Sequence, residues 1–235
     1  MSAQPVFEPE DDEAGEHWLS VGDMMAGLMV IFLFIALTYM HNVINDRDRI
    51  HEIAITYEKT KDLIYQRLYG EFKEDLKRWN AELDKETLSV RFKEPDVLFD
   101  VGSSALKEQF RAILGDFFPR YIRILADFRD SIEEIRIEGH TSSEWRNGTT
   151  PEEGYFKNMA LSQDRTRVVL EYNLMLPAVT AERNWIKSLL TANGLSSSKP
   201  ILHNGKEDPR RSRRVEFRLR TNAERQVIRI LEGGR

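Results

Sequence analysis

The chain has 235 residues, enough for one domain of ordinary size with appendages. Its net charge of −5 argues against general affinity for nucleic acid. The absence of cysteine excludes disulfides and thiolate metal sites.

Residues 1–17, MSAQPVFEPEDDEAGEH, carry six acids and no Lys or Arg. They read as a short acidic tail, and they lack the basic start of a secretory signal peptide. Residues 18–41 read as a retained transmembrane helix. Residues 19–40 are almost entirely apolar, and that length of helix spans roughly 33 Å, against a bilayer core of about 30 Å. Trp18 and Tyr39 stand near the two ends as interfacial anchors.

One residue does not fit a plain span. Asp23 lies near its start, where an ionised carboxylate costs about 2.5–3.5 kcal/mol on insertion scales. Helical spacing puts Ser20, Asp23, Ala26 and Gly27 on one small, polar face that another helix can approach closely. Leu28, Ile31, Phe32 and Ile35 fall on the opposite faces. The bland reading is an aspartate at the headgroup level. The functional reading is a protonatable carboxylate in a protein-lined path, whose cycling between neutral and charged forms drives a neighbouring subunit.

Residues 42–87 read as a helical linker that pairs two copies of the chain. An apolar stripe at Ile50, Ile53, Tyr57, Ile64, Leu68, Phe72, Leu76, Trp79 and Leu83 steps mostly by three, four or seven. The same stripe would equally serve a helix packed on its own domain. Residues 88–222 follow as an α+β domain, one sheet with helices on one face. LSVRFKEPDVLF alternates as a strand that breaks at Pro95. SSALKEQFRAILGDFFPRYIRILADF is an amphipathic helix region opened by serine. SIEEIRIEGH is a strand with Ile132, Ile135 and Ile137 toward the core, and a loop covers residues 141–154. NMALSQDRTRVVLEYNLML and TAERNWIKSLLTANG are read as helices, the second closed by Gly194. PILHNG and RRVEFRLR are short strands, and residues 223–235 form a final helix and tail.

Enzyme chemistry is not expected. His17, His41, His51, His140 and His203 are scattered, with no metal-ligand spacing. Ser162, Asp164 and Arg165 have no nucleophile elbow around them. No metal and no cofactor are implied.

The early aspartate in a single span, followed by a linker and an α+β domain, resembles the B subunit of flagellar-type stators, MotB. IRIEGHTSS, NMALSQDRT and RRSRRVEFRL resemble the three ordered motifs of OmpA-like peptidoglycan-binding domains. Within that superfamily, GDMMAGLMVIFLFIALTYM and GHTSSEW are more similar to the ZorB family of Zorya anti-phage defence systems than to flagellar MotB, whose tail is usually basic. The resemblance implies a homodimer of this chain inside a MotA-like, ZorA-like pentamer, with ions passing Asp23. It implies a cytoplasmic N-terminus and a periplasmic C-terminal domain, against the basic residues Arg47, Arg49, Lys59 and Lys61 after the span. It implies that Arg165 grips a carboxylate of a diaminopimelate side chain, with Asn158 and Leu161 lining the pocket. The sequence departs where the family usually has Asp, since Ser142 stands there, and Glu144, Glu152 or Glu153 are candidates for the missing acid. A flagellar stator and a passive wall anchor are the competing functions, and Asp23 speaks against the passive one.

Overall fold

The computed structural model describes residues 12–93, 98–100, 102–145 and 148–222; residues 12–17, 19 and 20 are described by their backbone alone. The part of the acidic tail before residue 12, the break at Pro95 and the helix expected after residue 222 therefore lie outside the described residues. The described residues divide into two units, one running to Glu52 and the other beginning at Ile53.

In the first unit by sequence, residues 12–52 belong to the long helix α1 (Asp12–Arg78). Its apolar window is the one stretch among the described residues with the length and composition to cross a membrane.

The rest of α1 opens the second unit. The helix stops nine residues short of the expected end at Thr87. Lys77 and Arg78 sit in its last turn, where cations complement the helix dipole, and Asn80 follows in the left-handed region at φ 47°. Residues expected in the linker then form strand β1 (Ala81–Asp84), paired with β2 (Ser89–Lys93). Asp84 makes the turn between them by accepting from the Thr87 N–H at 2.9 Å.

The part of the linker stripe from Ile64 to Trp79 is buried in this domain, while Ile50, Ile53, Tyr57 and Leu83 are half-buried. Ile64 and Leu68 are fully buried, and Phe72, Leu76 and Trp79 nearly so. Phe72 packs on Phe117 with ring centroids 5.3 Å apart. A helix of this amphipathicity gains more from a waiting aromatic core than from a short coiled coil, because each fully buried large side chain is worth about 1.5–3 kcal/mol. The residues from Ile64 to Trp79 thus give no support to a dimerising linker.

Strand β2 pairs with β7 (Arg214–Thr221), β7 with β3 (Ile132–His140), and β3 with β4 (Leu190–Gly194), giving the order β1-β2-β7-β3-β4. Only the β3–β4 pair is parallel. One sheet face carries Val90, Phe92, Ile135, Ile137, Val215 and Phe217 into the core. Ile132 joins that face despite its odd offset from Ile135, because a register shift between Ile132 and Glu134 flips the alternation. Helices α2 (Glu108–Ala126), α3 (Pro151–Met175) and α4 (Arg183–Leu189) complete the α+β layers. The serine-led start of α2 is corrected: the helix begins after Lys107, which makes no side-chain cap.

A second correction concerns TAERNWIKSLLTANG. Only its first part is helical, as a 3-10 turn over Pro177–Glu182 and then α4; LTANG is strand β4. Gly194 shows why. A Cβ there would lie 2.3 Å from the backbone nitrogen of Gln163, so the glycine allows the strand to press on α3. The PILHNG region is a hairpin of β5 (Leu202–His203) and β6 (Lys206–Glu207). Its turn residues Asn204 and Gly205 both have positive φ, 51° and 77°, as a two-residue hairpin turn requires. A short helix α5 (Pro209–Ser212) leads into β7.

Candidate functional site

In the membrane-type unit, an 18-residue window reaches a mean hydropathy of 2.2, and none of it is buried within the chain. Asp23 is exposed. On its face, nothing lies within 4 Å of where a Cβ on Gly27 would sit. Met24, Leu28, Ile31, Phe32 and Ile35 are exposed as well. Thr38 is satisfied inside the helix, donating to the Phe34 carbonyl at 2.8 Å. Among the described residues no cation pairs with Asp23. Whatever compensates this carboxylate is not in the same polypeptide's described part.

In the domain, the three sequence motifs converge at the end of β3. Gly139 lets this happen: a Cβ there would lie 2.7 Å from Thr166 Cγ2 and 2.9 Å from the Ser162 carbonyl, so α3 rests directly on the strand. Helix α3 is started by a capping box between Thr150 and Glu153, with Pro151 at its first position. That start sets which residues face the strand end.

Arg165 is 8% exposed. Its Nε donates to the Ser103 carbonyl at 2.9 Å and its Nη2 to the Asp100 carbonyl at 3.2 Å, while the guanidinium lies 4.8 Å from the centre of the Phe99 ring. It therefore holds the loop before α2 as well as lining a small cleft with Phe99, Gly139, His140, Ser162 and Arg214. Asn158 Nδ2 donates to the carbonyls of Ser142 at 3.1 Å and Glu144 at 3.3 Å. Ser142 itself is buried, and its link to Asn158 runs through the backbone. Leu161 is half-buried on α3. The structure thus joins Asn158 to Ser142 and sets Arg165 beside His140, two turns of helix further on.

Of the three acids proposed for the missing aspartate, Glu153 is in the capping box and Glu144 lies 3.9 Å from Arg213 Nη1. Glu152 is exposed in the first turn of α3. A residue that sequence reasoning missed, Glu207, reaches the loop instead. Its carboxylate accepts from the Ser143 N–H at 3.0 and 3.3 Å and from the Ser143 hydroxyl. Only the hairpin turn at Asn204–Gly205 could have pointed to it.

The sheet face opposite the core carries a charged ladder. Glu216 accepts from Arg91 Nε at 2.8 Å and Arg214 Nε at 2.6 Å. Burial alone would raise its pKa, but these two arginines pull it down to about 2. Burial likewise works against the charge on Glu138, and His140 and Arg218 still hold it below the usual carboxylate range. Burial pushes the His140 imidazole down, so it is neutral at pH 7. Its Nε2 stands 3.5 Å from Glu138 and 3.9 Å from Glu216. The ligand atoms of Glu138, His140 and Glu216 lie within 4.8 Å of one another, a spacing open to a metal ion. The surroundings oppose one: Arg91 and Arg214 occupy Glu216, and Arg136 and Arg218 flank Glu138 at 3.8 and 4.0 Å. A dication would enter a nest already balanced by four guanidinium groups.

No family model matches the chain. A crystal structure of a MotB-like protein from Desulfovibrio vulgaris aligns with a TM-score of 0.51 at 23% identity, over 70% of this chain and 96% of that one, a likeness of fold. The Zorya protein ZorB of Escherichia coli is 51% identical over 225 residues, covering 95% of this chain and 96% of that protein. With a relative so similar along nearly its whole length, the chain belongs to the ZorB family of Zorya proteins.

Proposed function

We propose that the chain is the B subunit of an ion-driven inner-membrane motor complex, anchored to peptidoglycan and acting in phage defence. The N-terminus is cytoplasmic, α1 crosses the membrane, and the domain from Ile53 onward is periplasmic. Two copies sit inside a MotA-like pentamer, and ions pass by way of Asp23. Arg165, Asn158, Leu161 and the loop at Ser142 contact the wall peptide, where the planar guanidinium of Arg165 suits a carboxylate.

The observation that carries this reading is an acid with no cation partner among the described residues, at the start of the apolar window of α1, in a chain of the ZorB family. A span whose large apolar side chains are all exposed has its faces left for lipid or for other subunits. A small face bearing a carboxylate is poor for lipid and good for a close helix neighbour. A passive anchor has no use for it. The test is purification of the chain from membranes at native expression. A polytopic MotA-like protein is expected to come with it in excess over two copies of this chain. Recovery of the chain alone, from membranes in which it confers protection, contradicts the reading.

A further inference from the structure

We propose that a groove between α1 and the end of β7 is the docking site for the chain's own residues 223–231, which clamp the helix to the sheet where it enters the domain.

The groove has a volume of about 410 Å³, and all its lining residues belong to the unit that begins at Ile53. Ile53, Ala54 and Tyr57 of α1 form its floor. The β1–β2 turn at Glu86–Leu88 makes one wall, and Arg218–Thr221 of β7 the other. The first wall is pinned to α1, since Lys61 Nζ donates to Glu86 at 3.1 Å and Lys85 Nζ lies 3.0 Å from Asp62. The groove is thus preformed. Leu88 and Leu219 are buried at its base, whereas Ile53 and Tyr57 are half-buried and Ala54 is exposed. The apolar stripe that the core closes over from Ile64 onward runs on into the groove without being closed, which leaves apolar surface to be covered.

The place where the described chain ends selects the occupant. Thr221 lines the groove, and Thr221 and Asn222 line a smaller cavity that continues it along Thr56 and Thr60. The Asn222 N–H donates to the Ser131 carbonyl at 3.0 Å, and its side chain donates to the Asp130 carbonyl. Residue 223 therefore follows from an anchored rim. The sequence onward is AERQVIRIL, in which helical spacing puts Ala223, Val227, Ile230 and Leu231 on one face and Arg225 and Arg229 on the other. Nine helical residues span about 13 Å, enough to follow α1 from Ile53 to Thr60, about 10 Å. A segment tethered at the rim competes at an effective concentration on the order of millimolar, ahead of the same segment from a second copy.

The chain has no cysteine, so an introduced thiol reports alone. In membranes containing the full chain, Ala54→Cys is expected to react with a maleimide about tenfold more slowly than the same thiol in a chain ending at Asn222. Val227→Asp with Ile230→Asp should unmask the thiol as truncation does, and Arg225→Asp, on the opposite face, should not. Hydrogen exchange of β3 amides in the purified variants should match wild type, which shows that the fold survives. Ala54→Cys combined with Val227→Cys or Ile230→Cys should form, on oxidation, a disulfide within one chain. Equal maleimide rates with and without the segment, and with Val227→Asp and Ile230→Asp, overturn the proposal. A disulfide that joins two chains gives the groove to a second copy and overturns it as well.

Discussion

Two stretches of one continuous helix treat charge and apolar surface in opposite ways. From Ile64 to Trp79, α1 buries its stripe in an aromatic core that includes Phe72, Phe92, Phe117 and Phe217. From Val21 to Ile44 its large apolar residues are exposed. The same holds for acids. Glu216 is buried and lies between two arginines at hydrogen-bond distance, whereas Asp23 has no cation partner among the described residues. In the domain the apolar stripe and the buried acid meet partners within the same unit; in the apolar window neither the large side chains nor Asp23 meet one among the described residues. Under the proposed function, that difference puts folding in one unit and assembly in the other.

Three substitutions probe the contrast, each read by hydrogen exchange of β7 amides in the full chain. Phe72→Ala should have the largest effect, about 3–5 kcal/mol of domain stability, because the hole it leaves is walled by Phe117 and Trp79. A small loss would mean that this part of α1 is not integral to the core. Glu216→Gln should cost on the order of 3 kcal/mol at pH 7, from a pKa held at about 2 against about 4.5 when unfolded. The folded value is the lower one, so this contribution is present above about pH 4.5 and disappears as pH falls toward 2. The substituted protein should therefore show a flatter acid limb than wild type between those values; parallel limbs would deny the arginine clamp. Phe32→Ala, on the exposed span, should leave β7 exchange unchanged, and a shift there would join the two regions that the contrast separates.

The parts legible in sequence were those decided locally. The span and Asp23 follow from residue count and polarity, and the β3, α3 and β7 motifs follow from spacing within short windows. What the sequence left open or misplaced depended on distant partners. Whether the stripe from Ile64 to Trp79 meets a second chain or its own sheet is decided by Phe92, Phe117 and Phe217, none of them near in sequence. LTANG lacks strand-like composition and becomes β4 because β3 offers a parallel edge and Gly194 fits against Gln163. Arg165, the expected wall contact, also ties the Asp100 and Ser103 carbonyls, so Arg165→Ala should lower domain stability besides any effect on binding. Glu207 was invisible for the same reason: the contact that singles it out joins residues 64 positions apart.

Asp23 is proposed to act through its ionisable carboxylate and a partner outside this chain. The most direct test is phage protection by cells carrying Asp23→Asn in place of wild type, with expression, membrane insertion and co-purification of the partner measured alongside. The amide keeps the shape and cannot release a proton. Protection should be abolished while assembly is unchanged, and Asp23→Glu, one methylene longer, should protect only in part. Full protection by Asp23→Asn at normal expression would contradict the account.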